Sequence, residues 1–120
     1  MVLAPEEDRI RAIFGLTDQA PLPKVGKDTL LAYHEYLVEK LSFPFQALYA
    51  ETSPPVRHIV HYVSVIGLSD STRRRLFGLF CKVQLGDQVV ELPLADLGMR
   101  EDNPNCQLVD DYVYWLWNGQ

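Results

Sequence analysis

AYHEYLVEKLSFPFQALYAE, residues Ala32 to Glu51, decides the fold, because an amphipathic helix runs there into a proline-pinned aromatic turn and then into an extended segment. Leu30, His34, Leu37, Val38 and Leu41 recur at three- and four-residue spacing, which gathers them on one face of a helix predicted from Lys27 to Leu41. Pro44 stops that helix. Its ring disfavours helical geometry at Phe43, so the chain enters Phe45–Ala50 already extended. His34 falls within the apolar face, and with no Cys or second His beside it at ligand spacing it reads as a hydrogen-bonded core histidine. Asp28, Glu35 and Glu39 share another flank and read as solvated surface.

Toward the N-terminus, Pro5 to Phe14 predicts a short helix, with proline at an early position and Glu6, Glu7 and Asp8 favoured by the helix dipole. Ile10, Ile13 and Phe14 form its buried side. Gly15 to Gly26, with Pro21 and Pro23, reads as a connecting loop. Toward the C-terminus, after Thr52–Pro55, β-branched and aromatic residues predict strands over Val56–Leu68, Leu76–Leu85 and Gln88–Leu92, with a tight hairpin at Gly86-Asp87. Pro93 ends the last strand, and Leu94 to Leu97 suits the single helical turn that follows a strand in SH3-like barrels. His58 and His61 point to opposite faces of an extended strand and do not grip one metal. A last helix is predicted from Asn103-Pro104, an N-cap residue followed by proline. Leu108, Val109, Tyr112, Trp115 and Leu116 gather on one side of it, Asp110, Asp111, Tyr114 and Asn118 on the other, with Trp117 at the edge.

The expected fold class is therefore α+β: a small antiparallel SH3-like barrel of four to five strands over residues 45–97, flanked by an N-terminal helical segment (1–41) and a C-terminal helix (103–118). A chain of 120 residues suits a single domain that buries its core without metal or staples. No apolar run approaches the ~20 residues of a membrane span and no secretory signal is visible, so the expected location is cytoplasmic. Cys81 and Cys106 fit neither a disulfide framework nor a zinc spacing and read as free thiols.

Charge is unevenly spread. Residues 1–90 hold ten acids and ten bases, whereas residues 91–120 hold Glu91, Asp96, Glu101, Asp102, Asp110 and Asp111 against Arg100 alone, so the net charge of -5 sits in the last quarter. Such a field attracts cations or a basic protein partner and repels nucleic-acid phosphates. Arg73, Arg74 and Arg75, without interleaved aromatics, read as a solvated loop. A phosphate-cradling glycine loop, a nucleophile elbow and H-E-x-x-H are all missing, which argues against an enzyme.

YHEYLVEKLSFPF, VSVIGL, VELPLADL and DDYVYWLW, in that order over roughly Asp28 to Trp117, resemble the cyanobacterial calcium-binding protein family. Its most specific elements here are Phe43-Pro44-Phe45, Val65-Ile66-Gly67, Pro93-Leu94 and Asp111 followed by Tyr114-Trp115. The resemblance implies a small SH3-like or Sm-like barrel with flanking helices, and calcium as the ligand. Family members are more acidic at the start of the long helix, where this chain carries Lys24 and Lys27 and keeps only Asp28. The acidic turn is better kept, and the ion is expected there, on Asp96, Glu101, Asp102, Asn103 and Asp111, with Asn105 nearby. Calcium wants six to eight oxygens from an irregular loop, and Leu97–Asn105 is a loop of that kind with Gly98 to bend it. It is not an EF-hand, because the D-x-[DN]-x-[DN]-G spacing is absent. The expected function is a small calcium buffer or sensor, and the rival reading is a barrel-type protein-interaction module without metal.

Overall fold

A computed structural model describes residues 4–53, 57–70 and 78–120, with the backbone alone for 51–53 and 57–59. The Arg73–Arg75 cluster, the side chain of His58 and the beginning of the strand predicted from Leu76 lie outside the described residues.

Helix α1 spans Pro5–Ile13 and α2 spans Lys27–Lys40. Strands β1 (Phe45–Ser53), β2 (Arg57–Leu68), β3 (Phe80–Leu85) and β4 (Gln88–Pro93) follow, then a 3-10 turn at Leu94–Asp96, the two-residue strand β5 (Leu97–Gly98) and α3 (Cys106–Asn118). Proline stands in the first turn of α1 with Glu6, Glu7 and Asp8. At the start of α2 the Thr29 hydroxyl accepts the Gly26 backbone N–H at 2.9 Å, satisfying a donor that the helix leaves orphaned. α2 ends where the sequence demands, with Leu41 extended at ψ 139° ahead of the cis Phe43–Pro44 peptide.

The strands form one antiparallel sheet in the order β4-β3-β2-β1-β5. Closure into a barrel, expected from the sequence, does not occur: β4 and β5 are the two edges, and among the described residues no ladder joins them. β4 runs out at Pro93, which has no N–H to donate, and β5 is only long enough to pair Leu97 and Gly98 with Tyr49 and Leu48 of β1. The sheet buries one face instead under helices. Phe45 and Ala47 of β1, Val63 and Val65 of β2, and Cys81 and Val83 of β3 alternate inward, while Val60, Tyr62 and Ile66 alternate outward. A bulge between Val65 and Gly67 adds local bend to β2.

The helical layer differs from its sequence reading in two places. Val38, expected on the apolar face of α2, is 53% exposed, and Tyr33 is fully buried in its stead. The face is set by what it meets: Tyr33 stacks on Trp115 of α3 at 4.9 Å between centroids, and contacts Tyr112 edge-on at 5.3 Å. α3 begins at Cys106 rather than at Asn103-Pro104. Residues 101–105 are turns, and Asn105 is drawn away from helix capping by the end of α2: its Oδ1 accepts the Ser42 N–H at 2.9 Å and its Nδ2 donates to the Ser42 carbonyl at 3.1 Å. The other end of α3 is tied to the loop before α2, where Trp115 Nε1 donates to the Pro23 carbonyl at 2.8 Å and Val25 N–H to the Gly119 carbonyl at 2.8 Å.

His34 is half-buried and its Nε2 lies 2.8 Å from the Ser69 carbonyl, a hydrogen-bonded histidine holding α2 to the end of β2. Asp28, Glu35 and Glu39 are exposed. Cys81 is buried and burial pushes its thiol up to about 12, while half-buried Cys106 is also raised, first by desolvation and then by its contact with Asp110. No helix among the described residues is long and apolar enough to cross a membrane.

Candidate metal centre

The first helix lies on the flank of α3 that the sequence reading had left to solvent. Arg9 reaches across 102 positions of chain to Asp111, donating from Nε to Oδ2 at 2.7 Å and from Nη2 to Oδ1 at 2.8 Å, a bidentate pair. Asp111 is buried, its side chain 8% exposed against 42% for Arg9. The guanidinium is held above its ordinary pKa chiefly by the hydrogen bond to Asp111. One turn further along, the Tyr114 hydroxyl donates to Glu7 at 2.6 Å, and that bond holds its proton above the usual phenol value. Glu7 in turn takes Arg11 at 3.2 Å.

Docking α1 on α3 makes a cleft of about 620 Å³. Its carboxylates are Glu6 from α1, Glu101 and Asp102 from the acidic turn, and Asp110 and Asp111 from α3, with Asn103 adding an amide and Arg9 the guanidinium. The structure thus brings together four of the five residues expected from sequence, namely Glu101, Asp102, Asn103 and Asp111. Asp96 is exposed on the 3-10 turn and does not border the cleft. Asn105 is buried and committed to Ser42. Glu6 and Asp110 were not singled out as ligands from sequence. Asp110 follows from its place beside Asp111 on the helix, but Glu6 reaches the cleft only because α1 packs on α3.

The donor set is hard oxygen, which suits calcium or magnesium rather than a metal preferring nitrogen or sulfur. Its arrangement is that of a cleft without convergence: among the described residues no three such side chains stand where one ion could take them all. Two of the carboxylates are also already paired with arginines. Arg9 occupies both oxygens of Asp111, and Arg100 Nε lies 3.3 Å from Asp102 Oδ1. Arg100 and Asp102 are 75% and 72% exposed, so their pairing is worth little and yields readily. Asn103 Oδ1 accepts the Asn105 N–H at 2.9 Å and its Nδ2 donates to the Gln46 carbonyl at 3.2 Å, anchoring the turn to β1. Glu101 and Asp110 stand exposed, with freedom to turn inward. The residues fit a hard divalent ion in kind.

A family model described as calcium binding, that of the CcbP type, matches residues 25–116. The crystal structure of CcbP from Anabaena superposes with a TM-score of 0.70 at 23% sequence identity, covering 99% of this chain and 94% of that one. At that identity the likeness is one of fold. No curated protein matches the chain.

Proposed function

The chain belongs to the CcbP calcium-binding family, and from that premise we propose that it takes up calcium as a small buffer or sensor, in the cleft between α1 and α3. The single observation that carries the location is the collection of Glu6, Glu101, Asp102, Asp110 and Asp111 around one opening. Asp102, Glu101 and Asp110 supply exposed carboxylates, Asn103 an amide oxygen, and Glu6 a carboxylate from α1. Asp111 joins them where Arg9 lets go.

The ion brings only charge and a demand for oxygens; the protein's residues set the affinity. Uniting several carboxylates round one opening concentrates negative field, and calcium relieves their mutual repulsion. Opposing this, Arg9 and Arg100 already neutralise two of the five acids. That competition places the expected affinity in the modest range of a buffer or sensor working in the cytoplasm, and makes it dependent on ionic strength.

Calcium titrated into chelator-stripped protein, followed by calorimetry and by backbone amide shifts, tests this reading. Saturable heat with shifts at Glu6, Glu101–Asn103 and Asp110–Asp111 is expected, and Asp102→Asn together with Asp110→Asn should remove it while leaving the fold intact. Absence of any response at millimolar calcium would defeat the calcium reading. A response untouched by the double substitution would move the site elsewhere.

A further inference from the structure

The sheet buries one face under the helices and leaves the other without a covering element among the described residues. On that outer face Val60, Tyr62, Ile66 and Val89 are 55%, 78%, 42% and 54% exposed, and such a group of apolar side chains marks an interaction surface. Tyr62 is the most exposed of them, and half-buried Leu48 stands opposite it in the β1–β2 ladder. Beside this pair lies a groove of about 450 Å³, bordered by Gln46, Leu48 and Tyr62 of the sheet and by Arg100, Asp102 and Asn103 of the acidic turn. A projecting ring thus stands next to a hollow able to receive one.

The charges on this face cancel. Among the described outward side chains of β1 to β4 they are Lys82 and Glu91, opposite one another in the β3–β4 ladder, and at the groove Arg100 and Asp102 add one of each sign. Copies of a chain with net charge -5 repel one another across their carboxylates, so a neutral apolar face is where two of them approach at least cost. A two-fold contact also requires one patch to answer itself, and a ring beside a groove and a cation beside an anion meet that requirement. Size is adequate: at ~4.8 Å between strands and ~3.3 Å per residue, β1 to β4 present roughly 500 Å² in projection, which side-chain relief and the groove enlarge toward the ~800 Å² per partner of a stable interface.

We propose that the outer face of the sheet pairs with a second copy of this chain about a two-fold axis beside Tyr62, the Tyr62 ring of each copy entering the groove of the other. The two sheets then lie face to face ~10 Å apart, with Leu48 and Val60 closing round the rings. The opposite signs of Arg100 and Asp102 let the two groove rims meet without repulsion. Asp102, Asn103 and Pro104 border both this groove and the carboxylate cleft, so association is to be measured with calcium absent.

Sedimentation velocity of the full chain in chelator, from low micromolar to millimolar concentration, tests the proposal independently of the calcium reading. The mass should rise from that of one chain to that of two, and the accompanying concentration-dependent amide shifts should centre on Leu48, Val60 and Tyr62. Tyr62→Glu, which sets two like charges beside the axis, should weaken association at least tenfold, and Val60→Glu should act in the same direction. Leu31→Glu, at an exposed apolar position on α2, should leave association unchanged. A melting temperature equal to that of the unmodified protein at the lowest concentration shows that a variant acts on association and not on folding. The proposal is overturned if the chain stays a monomer throughout, whatever else the face then binds, or if a dimer forms that neither Tyr62→Glu nor Val60→Glu weakens.

Discussion

Replacing Arg9 by glutamine separates the two roles of Asp111, as the partner in an ion pair and as a calcium ligand. In the ion-free protein the substitution leaves a carboxylate 8% exposed without its bidentate partner. Breaking a fully buried pair costs about 3–5 kcal/mol, and because the Arg9 side chain is 42% exposed, with solvent screening the charge, about 2 kcal/mol is the expected loss here. For a chain of 120 residues the unfolding entropy is about 0.25 kcal/mol per degree, so the melting temperature should fall by about 8 °C in chelator. Calcium should then stabilise the variant more than the parent, since the guanidinium no longer competes for both Asp111 oxygens. A tenfold gain in affinity is worth about 1.4 kcal/mol at saturating ion, or about 6 °C of additional upward shift. Circular dichroism melts of both proteins, with chelator and with calcium, give the four temperatures required. Equal melting temperatures in chelator would show the ion pair to be energetically idle. Equal calcium-induced shifts would remove Asp111 from the set of ligands.

Three other outcomes follow from the packing. Gly78→Ala should destabilise by about 3 kcal/mol, because φ is +68° there and an added Cβ would run into the Tyr112 hydroxyl and lie 2.9 Å from Leu116; a denaturant melt with an unchanged midpoint would contradict the close approach. Asn105→Ala should cost about 2 kcal/mol by leaving Ser42 N–H and C=O unpaired between α2 and β1, read as earlier hydrogen exchange at Ser42. Stability should decline as pH rises through the window from about 9 toward about 12: the unfolded chain releases the Cys81 proton near 9.0 while the folded thiol, pushed up to about 12, keeps it, and raised Tyr33 and Tyr112 act in the same direction above 10.0. Each such group contributes up to about 1.4 kcal/mol per pH unit, fully present below its unfolded value, and Cys81→Ala should flatten the early part of an alkaline melting series.

How far a feature could be read in advance depended on how far along the chain its causes lie. The break between α2 and β1 was legible because Pro44 acts on its immediate neighbour, and the hairpin because Gly86, at φ +61°, lies between two runs of strand-forming residues. Periodicity located α2 and α3 but erred on which residues face inward, choosing Val38 over Tyr33. Both choices satisfy helical spacing, and only the Trp115 ring opposite selects between them. The same limit applies to Asp111. On an isolated α3 it belongs to the polar side, and α1 turns that side into an interior. Calcium was legible through the family resemblance and the acids of the turn, whereas Glu6 was not, since nothing near Glu6 in sequence announces that it will border the same cleft as Asp102.

By itself the sequence determined the α+β class, the approximate positions of the helices and of the four longer strands, and the surplus of carboxylates after the last long strand, all consequences of backbone preference and local pattern. Tertiary structure alone decided that the sheet stays open, with β5 too short to bring its edges together and a helical layer covering its buried face. It also decided that Arg9 holds Asp111 and that Tyr33 keeps an unanswered hydroxyl at the junction of three helices. Those outcomes depend on contacts between segments as many as 102 residues apart, where shape and charge must match in space and adjacency in the chain carries no information about the match.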